Sequence, residues 1–521
     1  MKKLIFILIS IIFFQTTKAQ NEFITIWQPG ITTTPALNVN APFQVNSNQI
    51  WFPGIGQNYT ITWEEVGFPQ HNGTMTNVTS TSQVLIDFGT PSEGGGTNTL
   101  YRVKVSNGNG VFQQIKFASH QNFNPILDTL VPSLQMLGSA DKLIEIAQWG
   151  NIAWTSMNAA FASCQRMTLT ATDSPNLSNV TNASLMFYLT NSFLGASSMQ
   201  NWDTSNIQNF SFMFAQHHLG IEYTPTVPGF NPPELSFWDT SSATDLSYMF
   251  TGRTFFNQNL NSWDVSNVKN MSWMFTFCSS FNQPLNNWNT TNLQDMHDLF
   301  ANASSFNQSL GSWNTSGVTN MSRTFAYSTQ FNQPLDLWNV SDVTKMTNIF
   351  RNATSFNQSL ASWNLSSLVD GNSAFGNSAL DCENYSKTIS GWADNPNTAN
   401  NVSFILNSPM QYANNITNKR NILINKGWTI SGDTVGSCVL SVSNIESAGN
   451  LSIYPNPTSY FIYIKNLKNT ANYKISDESG RLLKEGKLVS EMVDISVLPK
   501  GNYLLQIITK DMAQTFKFIK K

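Results

Sequence analysis

The sequence predicts a repeat solenoid, one short strand and one short helical turn per unit, flanked by small β-sandwich domains at both ends. Three observations carry this. Phe256, Phe281, Phe306, Phe331 and Phe356 are spaced 25 residues apart, each opening Phe-Asn-Gln. Trp263, Trp288, Trp313, Trp338 and Trp363 keep the same step, as do Leu260, Leu285, Leu310, Leu335 and Leu360. Outside this block the pattern changes to two-residue alternation between turn signals, the mark of strands.

The first twenty residues, MKKLIFILISIIFFQTTKAQ, precede the fold. Lys2 and Lys3 form a basic start, and Leu4 to Phe14 is an apolar run too short to span a bilayer. Thr17 and Ala19 then supply the small residues of a cleavage site. Residues 1–19 read as a secretory signal peptide. No other apolar stretch is long enough to span a membrane. The chain carries 11% charged residues and a net charge of −3, which gives nucleic acid no basic surface to bind. Its 36 Phe and 15 Trp are too many for a disordered polymer, so the abundant Asn, Ser and Thr read as turns, caps and ladders.

Residues 20–125 show β-rich runs such as NYTITWEEV and LYRVKVSNGNGVFQQIKF, broken by Gly94-Gly95-Gly96 and Asn107-Gly108. A small sandwich fits them. The solenoid follows at 126–380, with about nine units. A second Phe recurs at 250, 275, 300, 325, 350 and 375, and Phe214, Phe187 and Phe161 mark degenerate copies. A unit this small cannot bury its own apolar residues, so copies must stack and share a core. The Phe, Leu and Trp columns become a spine, and Asn257, Asn282, Asn307, Asn332 and Asn357 an amide ladder. Within a unit, xLxxW reads as a strand. Val268, Met271, Met274 and Phe275 have the spacing of a short helical turn. The result is a leucine-rich-repeat kind of coil, with a plain β-helix as the second choice.

The unit SFNQPLNNWNTTNLQDMHDLF resembles the repeat of BspA-like bacterial surface leucine-rich-repeat proteins, and the likeness covers about 143–438. It implies a surface location and an adhesive, protein-binding role, with no catalytic residues. Residues 448–521 alternate again, and the words YPNPT, RLLKEG after Gly480, LPKGNYLLQI and FKFIKK resemble the type A C-terminal sorting domain of the type IX secretion system. That likeness implies export across the outer membrane of a Bacteroidetes-type bacterium, an interaction with the type IX machinery, and an extracellular or outer-membrane surface location.

Four cysteines remain. Cys164 and Cys278 lie four units apart, roughly 19 Å on a straight stack, beyond the ~7 Å reach of a disulfide. Cys382 and Cys438 are left as the bridge, stapling a cap (381–440) over the open end of the stack.

Chemistry is sparse. His217-His218 is the one pair with any prospect of holding a metal, and nothing nearby has ligand spacing, so no metal or cofactor is expected. Gly94–Gly96 lacks the Lys-Ser/Thr of a phosphate loop. Asp203, Asp239 and Asp264 follow the repeat Trp, but Asn289, Asn314, Asn339 and Asn364 take the same place later. A position that accepts Asp or Asn wants an acceptor oxygen rather than a charge, as a helix cap does. Glu64-Glu65 is the nearest thing to paired carboxylates and does not form a convincing pair.

The expectation is a non-enzymatic, adhesin-like protein binding an extracellular protein or polysaccharide, with ligand specificity at Phe277, Asn302, Tyr327 and Asn352, just before each FNQ. The alternatives are a glycan-acting hydrolase and a structural spacer presenting the N-terminal domain.

Overall fold

A computed structural model describes residues 21–31, 45–92, 97–120, 134–216, 229–440 and, with short interruptions, 451–520. The signal-peptide residues, Gly94–Gly96, His217-His218 and Gly480 lie outside the described residues. Two compact units divide the chain: Met1–Gln308 with Met321–Phe331, and Ser309–Asn320 with Asn332–Lys521.

The first unit begins with β1 (Phe23–Trp27), β2 (Gln49–Phe52), β3 (Gly54–Glu65), β4 (Phe68–Ser80), β5 (Val84–Asp87), β6 (Tyr101–Ser106), β7 (Val111–Ile115), β8 (Ala118–His120), β9 (Leu134–Met136), β10 (Leu143–Gln148) and β11 (Thr168–Leu169). The main sheet has the order β11-β10-β1-β6-β3-β4, with β7 also on β3, while β2-β5 and β8-β9 form small separate pairs. Phe23, Trp27, Tyr59, Ile61, Val103 and Val105 fill its core. Phe23 also packs on Trp149 and Trp154, where the repeats begin.

The predicted fold class requires correction. Between β11 and residue 381 the described residues contain neither a multi-residue strand nor an α-helix. Turns fill this stretch, interrupted by 3-10 segments at Ser197–Asn201 and Pro233–Phe237. The xLxxW strand and the helical turn are both absent, so the leucine-rich-repeat solenoid is not the architecture. Most of the regular structure is strand, in several separate sheets that lie outside this stretch.

The physical reason lies in where the N–H groups of 271–278 go. Those of Met271, Trp273, Phe275 and Phe277 donate to the carbonyls of Asp295, His297, Leu299 and Ala301 in the next copy, at 2.9–3.0 Å. Those of Met274, Thr276 and Cys278 donate three residues back. The Ser272 N–H donates to Asn270 Oδ1. A helix would need every one of them four residues back. Left-handed residues at Trp273 (φ 62°) and Phe277 (φ 60°) also break any helix.

Equivalent residues of successive copies still meet. In the first unit, isolated parallel bridges run Asn182–Asn209–Asp245–Asn270–Asp295. Rings at Phe250, Phe275, Phe300 and Phe325 stack at 5.7–5.8 Å. Trp263 and Trp288 donate Nε1–H to the carbonyls of Leu235 and Leu260. The amide ladder is built differently from expectation. Asn282 Oδ1 accepts the backbone N–H of Asn307 at 2.9 Å and Gln308 Nε2 at 3.0 Å, rather than pairing with the next Asn side chain.

The second unit has its own bridge series, Asn320–Lys345–Asp370–Ser403. It continues with α1 (Cys382–Asp394), β12 (Ser403–Ala413), α2 (Thr417–Asn425) and β13 (Thr429–Gly436), which pairs in parallel with β12. Asp381 caps α1 by accepting the Asn384 N–H. Trp392 on α1 stacks on Phe375 and donates to Leu360 O, so the helix covers the last copy. Cys382 and Cys438 are bonded, Cα to Cα 6.2 Å.

The C-terminal part holds β14 (Ser452–Tyr454), β15 (Phe461–Lys465), β16 (Ala471–Asp477), β17 (Leu482–Leu488), β18 (Met492–Asp494), β19 (Gly501–Ile508) and β20 (Ala513–Lys520). They form a β14-β15-β18 sheet and a β17-β16-β19-β20 sheet. Ile462, Ile464, Val493, Ile475, Leu505 and Phe518 from both share one core.

Candidate functional site

Phe277, Asn302, Tyr327 and Asn352 occupy the same backbone conformation, with φ of 60°, 59°, 62° and 57°. Phe277 and Asn302 donate their N–H groups to Ala301 O and Ala326 O, and Asn352 donates to Gly376 O. The side chains are thereby held at a fixed angle on the surface of each copy. Tyr327 is 39% exposed and the other three are half-buried. Asn tolerates a left-handed backbone, whereas Phe and Tyr cost about 1–2 kcal/mol there.

A second left-handed column, four residues earlier in each copy, escaped the sequence reading: Phe212, Tyr248, Trp273, Asp298 and Arg323 in the first unit. Its signal is the residue two places before the second Phe, in FSFMF, LSYMF and MSWMF. Phe212 stacks on Tyr248 at 4.1 Å and Tyr248 on Trp273 at 5.5 Å. The Arg323 guanidinium lies 5.3 Å over Trp273 and pairs with Asp298 at 2.9 Å. Trp273 Nε1–H donates to His297 Nε2, whose Nδ1 meets Asp295 at 2.7 Å. With the ring faces occupied by one another and by Arg323, and with Phe212, Trp273 and Asp298 buried, this column is packed against itself rather than open as a stacking platform.

The acceptor column has a clear role. Oδ1 of Asp203, Asp239, Asp264, Asn289, Asn314 and Asn339 accepts the N–H two residues on, at 2.9–3.3 Å. These are Asx turns rather than helix caps, because no helix follows. Hydrogen bonds from Ser241 hold the Asp239 carboxyl below its usual range.

Glu64 and Glu65 do not converge, since adjacent strand residues point to opposite faces. Glu64 pairs with Arg102 at 2.7 Å and Lys104 at 3.2 Å. Glu65 is buried, holding His71 Nδ1 at 2.5 Å and accepting the Ser92 N–H at 2.9 Å. Burial alone would raise its pKa, but the hydrogen bonds from Ser92 and His71 hold it below the usual range. Cys164 and Cys278 are buried free thiols, both pushed up by burial. Such thiols are poor nucleophiles.

The class of protein is set at the C-terminus, where two small sheets around one core follow the capped repeat region. Residues 452–521 match the Secretion system C-terminal sorting domain. The chain is therefore exported by the type IX system to the cell surface or extracellular space. Among the described residues no helix is long and apolar enough to cross a membrane. Residues 155–219, 223–316 and 284–392 match a family described as Mycoplasma protein of unknown function, DUF285. No curated protein matches the chain.

Proposed function

We propose that this exported chain is an adhesin-like binding protein whose repeat region takes an extracellular protein or polysaccharide, in the manner of BspA-like surface proteins. The observation that carries the reading is the column Phe277, Asn302 and Tyr327 of the first unit, with Asn352 taking the same backbone geometry in the second. It repeats one backbone geometry while varying the side chain, and it keeps aromatic residues where Asn or Gly would cost less. An amide- and hydroxyl-rich surface with spaced aromatics suits many weak hydrogen bonds and partial stacking. A non-catalytic role is supported by the engagement of Glu64 with Arg102 and Lys104 and of Glu65 with His71 and Ser92.

The test exposes the purified full chain to immobilised polysaccharides and extracellular-matrix proteins, scoring retention and, by mass spectrometry, cleaved products. Retention without products, weakened about tenfold by Phe277→Ala with Tyr327→Ala, is the expected result. Cleaved products would overturn the reading in favour of a hydrolase. Unweakened retention would remove this column from the ligand surface.

A further inference from the structure

The two outer faces of the sorting domain differ in character. On β14-β15-β18, Ile462, Ile464 and Val493 point into the core, so Tyr454, Phe461, Tyr463 and Met492 point out. Pairing sets Tyr454 beside Tyr463 and Tyr463 beside Met492, one row across three strands. The Tyr454 and Tyr463 rings stack at 5.6 Å. All four side chains are 39% exposed, and Tyr460, just ahead of β15, is 64% exposed. Solvent faces of small antiparallel sheets are ordinarily polar. The outer face of the four-stranded sheet is mixed, with Asn472, Lys474, Thr515 and Lys517 exposed beside Ile519, and it carries no exposed aromatic row among its described residues. Contiguous exposed aromatics mark interaction surfaces, because Tyr and Phe anchor interfaces at low entropic cost.

Charge also separates this domain from the rest of the chain. Residues 451–521 hold eleven Lys and Arg against six Asp and Glu, or +5, in a chain whose total is −3, leaving −8 on residues 1–450. Lys465, at the corner of the aromatic face, approaches the Asp336 carbonyl at 3.4 Å, and the four apolar side chains remain open. A domain whose family is a secretion sorting signal must be recognised by that secretion system.

We propose that the row Tyr454–Tyr463–Met492, with Phe461, is the surface on which a component of the type IX machinery docks, through an apolar patch of its own. The proposal rests on residues 452–521 being the export signal, and the experiment separates the two. In a bacterium carrying a type IX system, the full chain is expressed in four forms. They are the natural sequence, a deletion of 451–521, the triple variant Tyr454→Ser, Phe461→Ser, Tyr463→Ser, and Leu482→Ser with Leu483→Ser on the other sheet. The fraction reaching the surface or medium is read for each.

The deletion should be retained in the cell envelope, the triple variant exported about tenfold less, and the Leu482/Leu483 variant exported normally. Export of the deletion would sink the reading of the tail itself. Normal export of the triple variant, with the deletion retained, overturns the docking face. Tyr463→Lys guards against misfolding: the purified full chain should keep its unfolding transition while its export falls. If export is lost only where that transition is lost, the face is structural and the proposal is overturned.

Discussion

Residues 271–278 and 461–465 are both short apolar runs, and they reach burial by different routes. In MSWMFTFC every residue except Phe277 is buried, and the N–H groups alternate between the next copy and the same turn. In FIYIK only Ile462 and Ile464 are buried, while both neighbouring strands complete the hydrogen bonding. A segment enclosed on all sides needs neighbours of matching shape, and a copy of itself supplies them. One enclosed on a single side needs only alternation, and its other face is free to acquire a separate use. The repeat region is therefore spelled rigidly, while the sorting domain keeps a face that its own folding does not require.

The strongest way to break this contrast is Trp288→Ala. It empties a fully buried site and removes one of the two hydrogen bonds to the Leu260 carbonyl, so it should cost about 4 kcal/mol in denaturant unfolding. By contrast, Tyr463→Ser on the open face should cost under about 0.5 kcal/mol. Similar costs for the two would erase the distinction.

The cap comes next. Opening the Cys382–Cys438 bond frees a loop spanning a sequence separation of 56, worth up to about 4 kcal/mol by chain entropy. Hydrogen exchange should show α1 losing protection on reduction ahead of the sheets of the sorting domain. Uniform loss throughout the chain would argue that the bond holds no local unit.

The ladder sharpens the comparison through chemistry at constant size. Asn282→Leu leaves the Asn307 N–H and Gln308 amide without their acceptor and should cost about 2 kcal/mol. Asn282→Asp keeps an acceptor oxygen and should cost clearly less. Equal losses would mean that the column recognises shape and not the acceptor.

Smallest is the Asx column. Asp239→Asn should leave stability near pH 7 within about 0.5 kcal/mol, since Asn fills this place in later copies. The folded-state pKa of Asp239 is depressed, so its contribution is present above the unfolded carboxyl pKa. It is lost as pH falls through the folded value. The variant should therefore lack part of the acid-side decline in melting temperature.

The 25-residue spelling by itself determined that copies meet residue for residue, because only self-complementary neighbours preserve columns of Phe, Leu, Trp and Asn. At the C-terminus, two-residue alternation and the words YPNPT and LPKGNYLLQI pointed to the export domain, because those signals are local. It also favoured an acceptor oxygen after each Trp, from the interchange of Asp and Asn. The conformation within a copy was a tertiary decision. Val268, Met271, Met274 and Phe275 satisfy a helical spacing, yet the next copy takes half of the N–H groups a helix would need. The aromatic column through Phe212, Tyr248 and Trp273 was likewise hidden, since its members differ in identity and share only a left-handed backbone. Spacing records which residues recur. Which hydrogen bonds they make depends on whether the chain's neighbour is its own next turn or the next copy, and folding alone settles that.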